Sequence, residues 1–314
     1  MILTVTPNTA LERVLEVERY VPGARLTVLK DTQCIGGKGN LASAFAADLG
    51  AASVALGFAA GKSGWELATL LRSRGVRVDF SPAEGETRRT VVVVDEALPG
   101  QTWLMPESFR ATRAGQRHLL SRFDHWLRKT SWVALCGSLP RGCSANLYRR
   151  LSREARAHGV PVLIDARGPA LAQALASRPE VVRLNREELE LTLREKIPTM
   201  PRLLLALRRL VAEGIQVVIC TLGDEGAVAL TDTGGWRVVA PTIQMRSSAG
   251  SGDAFTAALL VWRAKGADWP VALRWAAAAG TAKAVNAPTD APLDLDRVRA
   301  IYRRAKVSRL QRPS

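Results

Sequence analysis

Strands and helices alternate regularly through the middle of this 314-residue chain, and this alternation constrains the fold more than any other feature. Short apolar runs, which are typical of buried strands, are separated by longer segments with helical periodicity. The predicted order is helix Thr112–Arg128, strand Trp132–Cys136, helix Ala145–Ala157, strand Val160–Asp165, helix Ala170–Ser177, strand Val181–Leu184, helix Arg202–Ala212 and strand Gln216–Thr221. Repeated units of this kind predict an α/β fold with a mostly parallel central sheet.

The N-terminal part adds elements of both kinds. The predicted strands and β-like pieces are Met1–Thr6, Val14–Val17, Leu26–Leu29, Ala52–Gly57 and Val76–Phe80, and the predicted helices are Asn40–Leu49 and Gly61–Arg74. Two β-rich runs, Arg89–Val94 and Gln101–Met105, predict a hairpin whose loop contains Pro99-Gly100. The basic tail after Val307 is expected to be frayed.

Composition excludes several classes of protein. Apolar residues make up 47% and charged residues 23%, as in globular proteins. No run of about 18 apolar residues exists, and the N-terminus lacks the basic region of a signal peptide. The four cysteines contain no C-x-x-C pair, which indicates reduced thiols in a cytoplasmic protein without zinc. The net charge of +15 is spread over several helices without alternating aromatic residues, so no nucleic-acid partner is expected. Because no long apolar run exists, no membrane partner is expected either.

Small, polar and acidic residues follow the predicted strands at the point where each strand ends. Gly137-Ser138, Asp165, Asn185 with Glu188, and Thr221–Gly226 all occupy such positions. Because the carboxyl ends of parallel strands meet at one edge of the sheet, these residues predict a ligand site there.

The segment Ser248–Lys265 combines a glycine-rich turn with an apolar helical pattern. Gly250, Ser251 and Gly252 precede Asp253, which falls in the first helical turn. The unpaired backbone amides and the dipole of a helix N-terminus favour a phosphate or an oxyanion. Asp in the first turn is also a common capping residue, so this segment alone leaves both interpretations open.

The segment Gly57–Ser63 resembles a P-loop only at first sight. A P-loop has four residues between its first glycine and Gly-Lys, and this chain has three. We therefore interpret the segment as an ordinary turn between a strand and a helix.

Taken together, these segments resemble the ribokinase-like (PfkB) carbohydrate kinase family over nearly the whole chain. The motifs that carry the resemblance are, in order, Thr4–Glu12, Gly36–Gly39, Ala55–Phe58, Thr87-Arg88, Leu135–Pro140, Asp165 with Gly168, Asn185 with Glu188, Thr221–Gly226 and Gly250–Asp253. The resemblance implies one kinase domain over 1–314, with helices on both faces of the central sheet. It also implies a small β-sheet lid formed from about 11–30 and 88–106.

The resemblance further implies phosphoryl transfer from ATP to a sugar hydroxyl. Asp253 would accept the hydroxyl proton, while the amides of Gly250, Ser251 and Gly252 would stabilise the transferring group. The nucleotide would lie against Asn185, Thr221, Gly223 and Gly226. Glu188 and Asn185 would hold Mg²⁺ through water.

The same resemblance implies a sugar site formed by Glu12, Gly37, Lys38, Asn40, Arg88 and Ser138. The N-terminal T-P-N-T-A-L-E-R, C-G-S-L-P and D-A-R-G-P-A-L segments are most similar to the branch that acts on phosphorylated ketohexoses. That branch comprises 1-phosphofructokinase, tagatose-6-phosphate kinase and the minor 6-phosphofructokinase, and the first two types are the ones expected here. A homodimer formed through the lid is also expected.

Several positions depart from the family pattern. Glu12 stands where the family usually has Asp, and Leu41 stands where it has Asn, with Asn40 one residue earlier. Thr27, with Arg25 nearby, replaces a basic residue near the lid turn, and Ser251 replaces the usual Ala. The sugar-side departures leave two alternatives open: a kinase of an unphosphorylated sugar or nucleoside, and a sensing protein of the same fold without catalysis.

Overall fold

A computed structural model describes residues 1–97 and 101–310, so the predicted Pro99-Gly100 turn lies outside the described residues. The strands are β1 Ile2–Asn8, β2 Ala10–Val17, β3 Val28–Gly36, β4 Ser53–Ala59, β5 Arg77–Val78, β6 Ser81–Pro82, β7 Arg88–Asp95, β8 Gln101–Leu104, β9 Trp132–Cys136, β10 Val162–Asp165, β11 Val181–Asn185, β12 Val217–Thr221, β13 Ala227–Thr231, β14 Gly234–Val239 and β15 Lys306–Leu310.

Seven of the ten α-helices in the described residues were predicted, whereas Arg186–Leu193, Trp269–Lys283 and Leu295–Arg304 were not. The helices are α1 Lys38–Asp48, α2 Gly61–Ser73, α3 Arg113–Leu127, α4 Leu147–Ala157, α5 Gly168–Leu175, α6 Arg186–Leu193, α7 Met200–Ala212, α8 Ser251–Ala264, α9 Trp269–Lys283 and α10 Leu295–Arg304. A single 3₁₀ turn, Gly223–Glu225, follows β12.

The central sheet has the order β15-β14-β13-β12-β11-β10-β9-β1-β4-β5, and β6 also pairs with β4. The strands from β12 to β5 are parallel, while β13, β14 and β15 extend the sheet in antiparallel pairs. This arrangement confirms the predicted mostly parallel sheet.

Two hydrophobic cores cover the two faces of the sheet. Adjacent strand residues alternate between them: Leu163 packs in the core that contains α1, α8 and α9, whereas Ile164 packs in the core that contains α3, α4 and α7. Successive side chains of a strand point to opposite faces, so apolar residues at both positions require helices on both sides. The predicted ribokinase-like α/β architecture is therefore confirmed.

A separate sheet of four described strands has the order β3-β2-β7-β8. Strands β2 and β7 are parallel, and the predicted hairpin is present as the antiparallel pair β7–β8. Val14, Cys34, Val92 and Val94 form a small core on one face together with Ala287, which follows α9. This face of the small sheet therefore packs over the C-terminal part of the chain.

Some sequence-based predictions were wrong. The tail is not frayed through residue 310, because Lys306–Leu310 forms β15 and pairs with β14, Val307 lying opposite Val238. Backbone pairing with an existing sheet edge supplies stability that the basic composition of the tail does not reveal. The predicted strand Val76–Phe80 is reduced to the two residues of β5.

A helix that spans a membrane must be both long and apolar, and the helices of the described chain were judged by these two properties. None of them is both long enough and apolar enough to cross a bilayer.

Candidate active site

The polar strand ends lie beside the N-terminus of α8. Asp165 ends β10, and Thr221 ends β12. Between them, β11 contributes Arg183 and ends at Asn185. The carboxyl ends of three neighbouring strands therefore form one rim, as the sequence predicts.

The turn Gly250–Asp253 has the geometry of an anion-binding helix start. Gly250 is the N-cap in the left-handed conformation (φ 78°), which glycine adopts without strain. The amide of Ser251 donates to the Ser248 carbonyl oxygen at 3.1 Å, and that of Asp253 donates to the Gly250 carbonyl oxygen at 3.1 Å. Within the described chain the amides of Gly250 and Gly252 donate to no protein acceptor, so these two remain available to an anion.

Asp165 is the centre of a buried ion network. Its Oδ1 atom accepts from Lys38 Nζ at 2.6 Å, and its Oδ2 atom accepts from Arg183 at 2.9 Å and from the Thr256 hydroxyl at 3.2 Å. Lys38 also lies 2.6 Å from Glu188 Oε1. Although burial acts to raise it, the pKa of Asp165 is lowered overall because Lys38 and Arg183 stabilise the carboxylate.

Arg183 lies in the candidate site, although it was not among the predicted site residues. Its guanidinium is buried between Asp165 and Thr221, donating to the Thr221 hydroxyl at 2.9 Å. A Cβ atom at Gly252 would lie 2.4 Å from Arg183 Nη2, so the guanidinium packs directly against the anion-binding turn. The available signal was an arginine inside the apolar strand Val181–Leu184, since an unpaired charge is costly in a buried strand.

Asp253 is buried, and burial raises its pKa to about 8. The charge of Asp165 contributes to this rise, whereas Lys38 and Arg183 act in the opposite direction. Glu12, at the base of the small sheet, has a similar environment: burial raises its pKa to about 7, opposed mainly by Thr289 and Arg88. Both carboxyl groups are therefore poised to exchange protons near neutral pH.

Asn185 and Glu188, the predicted magnesium residues, form a capping box at the start of α6. Glu188 N donates to Asn185 Oδ1 at 2.8 Å, and Asn185 N donates to Glu188 Oε2 at 3.0 Å. Among the described residues, no three of the site carboxylates Glu12, Asp165, Glu188 and Asp253 converge as direct ligands of one ion. The spare lone pairs of Glu188 fit a hydrated Mg²⁺ better than a dehydrated one.

The predicted nucleotide residues lie in a tight turn after β12. Gly223 and Gly226 have φ values of 63° and 90°, in the region that favours glycine. A Cβ atom at Gly226 would lie 2.0 Å from the Val238 carbonyl oxygen, so the turn packs directly on β14. The turn keeps its backbone close to Thr221 at the rim.

The sugar-side residues Glu12 and Arg88 lie on adjacent strands of the small sheet. Arg88 and the backbone amide of Gly37 both stabilise the charged form of Glu12. Burial lowers the pKa of Arg88, Glu12 counters this effect, and the nearby positive charge of Arg167 lowers it further. The positive charges of Arg88 and Arg167 therefore lie close enough to affect each other. Two neighbouring arginines are suited to binding a phosphate. Arg167 was not among the predicted site residues, although it belongs to the D-A-R-G motif.

Asn40 and Leu41 lie away from open solvent. Asn40 is fully buried, and its Nδ2 donates to the Gly36 carbonyl oxygen at 2.9 Å, so it holds the turn before α1. Leu41 packs in a hydrophobic core. Arg25 and Thr27 are exposed in the segment between β2 and β3.

Ser138 belongs to a short polar chain at the end of β9. Its hydroxyl accepts from Asn8 Nδ2 at 2.9 Å, and Asn8 Oδ1 accepts from the Ser108 hydroxyl at 2.6 Å. Asn8 and Ser108 were not predicted, although Asn8 belongs to the N-terminal T-P-N segment.

The segment that resembles a P-loop has no vacant anion site. Glu86 accepts hydrogen bonds from the backbone amides of Lys62 and Ser63 at 3.2 and 2.5 Å. The chain's own carboxylate therefore satisfies the N-terminus of α2.

Comparison with known proteins identifies the family of this site. Residues 10–294 match the model of the pfkB family of carbohydrate kinases. The chain belongs to this family. It is 32% identical over 264 residues, 82% of each chain, to a 1-phosphofructokinase from Xanthomonas campestris pv. campestris.

Solved structures of pfkB kinases have the same fold. A possible 1-phosphofructokinase from Thermotoga maritima superposes with a TM-score of 0.91 at 26% identity, covering 99% of this chain and 100% of that chain. Phosphofructokinase-2 from Escherichia coli, solved with substrates and products, gives a TM-score of 0.87 at 25% identity and covers 96% of this chain and 98% of that chain. The protein is therefore a phosphotransferase of the carbohydrate kinase family, with a sugar hydroxyl as acceptor.

The buried carboxyl of Asp253 predicts a pH-dependent gain of stability in the Asp253→Asn variant. The unfolded carboxyl ionises near pH 4, whereas the folded one keeps its proton up to about pH 8. The free energy of unfolding therefore falls as pH rises through this window, and the variant lacks that loss. We expect the Tm of the variant to exceed that of the wild type by a margin that grows from pH 5 to 8. The corresponding gain in the free energy of unfolding should reach roughly 2–5 kcal/mol at pH 8.

Thermal melts at pH 5, 6.5 and 8 measure this difference. Asp165→Asn is the matched control, and it is expected to lose stability because Lys38 and Arg183 would lose a buried partner. A Tm difference between Asp253→Asn and wild type that does not change with pH would contradict the raised pKa.

Proposed function

We propose that this protein transfers the γ-phosphoryl group of ATP to a hydroxyl of a phosphorylated ketohexose, as a kinase of the 1-phosphofructokinase or tagatose-6-phosphate kinase type. One observation carries the proposal: a buried Asp253 directly follows two free amides, with Arg183 against the same turn. A base and an anion site would therefore lie side by side. Phosphoryl transfer depends mainly on such positioning and on electrostatic stabilisation of the transferring group.

Asp253 acts as the base in this proposal. It takes the proton of the attacking hydroxyl while that oxygen bonds to the γ-phosphorus and the bond to the leaving oxygen of ADP breaks. Its raised pKa supports this role, because a base works best when its pKa lies near the operating pH. Gly250, Ser251 and Gly252 form the anion-binding turn, in which the amides of the two glycines are free to stabilise charge on the transferring group.

ATP, which kinases of this family use, would bind along the rim formed by Asn185, Thr221, Gly223 and Gly226. Mg²⁺ would be held through water near Glu188 and Asn185, where it would neutralise phosphate charge. The capping box supports this arrangement because it fixes the Glu188 carboxylate in one orientation.

The sugar would bind beneath the small sheet, which we propose to be a lid of the single kinase domain. Arg88, together with Arg167, would bind its phosphate, and Glu12 would contact its hydroxyls. Gly37, Lys38, Asn40 and Ser138 would complete the pocket. Lys38 lies between Asp165 and Glu188, so it would also neutralise charge near the nucleotide.

The four free cysteines favour a cytoplasmic location.

The first experiment measures ADP release from Mg·ATP with a panel of acceptors. The panel contains fructose 1-phosphate, fructose 6-phosphate, tagatose 6-phosphate, free hexoses and ribonucleosides. We expect turnover to be selective for one ketose phosphate, and we expect Asp253→Asn to lower kcat by at least about 100-fold because it removes the base.

Other outcomes of the panel identify the alternatives. Selective turnover of a free sugar or a nucleoside would replace the proposed substrate class and would implicate Glu12 in the change. ATP binding without consumption on any acceptor would indicate a sensing protein. Wild-type turnover by Asp253→Asn would disprove the assigned base.

Arg88 is predicted to select phosphorylated over unphosphorylated sugars. Arg88→Met should raise KM for the ketose phosphate roughly 10- to 100-fold, the loss expected when a charged hydrogen-bond partner is removed. KM for ATP should be unchanged. Steady-state kinetics with both substrates measures the effect.

Arg89→Met is the matched control for this variant. Arg89 is the next residue of β7, and it contacts Ser63 and Glu66 on α2. The control should behave as wild type. An equal rise in KM in both variants, or a rise in KM for ATP, would argue against a phosphate contact at Arg88.

A homodimer through the lid is the proposed assembly. On one face of the small sheet, Val91 lies opposite Leu104, and Val17 lies opposite Val28. Leu104 and Val28 are 54% and 42% exposed, so a partly apolar surface is available to a second copy.

Sedimentation of Leu104→Glu tests this assembly. A charge on the apolar face should convert a dimeric wild type into monomers. Leu205→Glu on α7, where the leucine is 59% exposed, is the control and should leave the dimer intact. A dimer that survives Leu104→Glu would place the interface elsewhere.

A further inference from the structure

Lys283 is a buried cation that the proposed mechanism does not use. It is the last residue of α9, its side chain is fully buried, and no other lysine of the described chain is buried in this way. Its Nζ atom donates to the Asn286 carbonyl oxygen at 3.1 Å, and it forms no ion pair with any described carboxylate. Burial lowers its pKa to about 8, so the group is still mainly protonated at neutral pH.

Stability alone does not explain a lysine at this position. A buried charge without a paired partner is costly, and an apolar side chain of similar length usually gives equal or greater stability. The C-terminal end of a helix offsets part of this cost, because its carbonyl groups favour a cation. The remaining cost suggests a role in the site.

Lys283 lies directly behind the anion-binding turn. A Cβ atom at Gly250 would lie 3.2 Å from Lys283 Cε and 2.2 Å from the Thr289 carbonyl oxygen. The turn therefore rests on the lysine side chain and on the loop 286–290. The hydrogen bond from Lys283 to Asn286 holds the beginning of that loop.

The same helix end anchors the segment that leads into the turn. The Ala284 carbonyl oxygen accepts from the amides of Arg246 and Ser247 at 2.8 and 3.2 Å. The Ser247 hydroxyl in turn contacts Gln101 of the small sheet at 2.7 Å. The end of α9 thus supports the turn, the loop behind it and one contact to the proposed lid.

The charge of Lys283 also reaches the reacting groups. Its ammonium interacts electrostatically with Asp290, Asp253 and Glu12, although none of them is close enough to pair with it. A positive charge behind the amides of a helix start adds to the field that favours an anion in front of them.

We propose that Lys283 is a positioning residue for phosphoryl transfer, whose ammonium group fixes the loop 286–290 behind Gly250 and adds positive charge behind the anion-binding amides. The proposal rests on the proposed kinase function. In this proposal the Lys283 ammonium group takes the place that a small monovalent cation could occupy at the Asn286 carbonyl oxygen.

Lys283→Met separates this role from a purely structural one. The substitution keeps most of the volume and removes the charge. We expect kcat to fall at least about 10-fold, KM for the sugar to change little, and Tm to stay equal or rise. Lys265→Met, on the exposed C-terminal cap of α8, is the control and should keep wild-type kinetics.

Chemical rescue of Lys283→Ala provides an independent test. The shorter side chain leaves a space near the Asn286 carbonyl oxygen, so ammonium, methylammonium or K⁺ should restore part of the lost activity. Tetramethylammonium at equal ionic strength is too large and should not. Wild type should be insensitive to all four cations. Absence of rescue by every small cation would overturn the proposal, even if Lys283→Met cannot be folded.

Calorimetry distinguishes failure of this proposal from failure of the proposed function. Lys283→Met should weaken the binding of ATP more than that of ADP, because only ATP brings a γ-phosphate to the turn. A wild type that binds ATP but phosphorylates no acceptor would disprove the kinase function and leave this measurement valid. Wild-type kcat together with wild-type ATP affinity in Lys283→Met would disprove the role of Lys283.

Discussion

The buried ion pairs of Asp165 are the interactions on which the rest of the candidate site depends. The carboxylate compensates two cations that come from different elements, Lys38 from α1 and Arg183 from β11, and it accepts from Thr256 on α8. In a low-dielectric interior each cation alone would carry a large desolvation cost. One carboxylate thus fixes a helix, two strands and the helix that bears Asp253 in a single arrangement. Lys38 also donates to Glu188, so this carboxylate belongs to the same network.

The same network determines the chemistry of Asp253. Burial and the charge of Asp165 hold a proton on this carboxyl, whereas Lys38 and Arg183 favour its release. The balance lies near neutral pH, where small changes of charge, such as the arrival of phosphates, have the largest effect on protonation. In the proposed mechanism, the two free amides of the neighbouring turn would stabilise the negative charge that develops during phosphoryl transfer. Asp253 and the free amides beside it are therefore held by one set of buried contacts.

Most of the central sheet could be predicted from the sequence because its strands are apolar on both faces. Leu163 and Ile164 illustrate the reason: both are buried, in different cores, and only a sheet between two helical layers accommodates this pattern. The tail could not be predicted in this way. Lys306–Leu310 is half exposed and basic, and its strand exists because the edge of β14 offers backbone partners. Pairing of that kind depends on distant residues, which local composition does not encode.

The sequence by itself determined the family, the glycine-rich helix start at Gly250–Asp253 and the polar strand ends, since these depend on short motifs whose chemistry is local. Backbone amides at a helix start favour an anion wherever the helix lies. The tertiary structure alone decided what surrounds them. Arg183 against Gly252, Arg167 near Arg88, and Lys283 behind Gly250 are brought together from separate parts of the chain. Their effect is electrostatic and depends on distance and burial, and both are properties of the folded chain rather than of any segment.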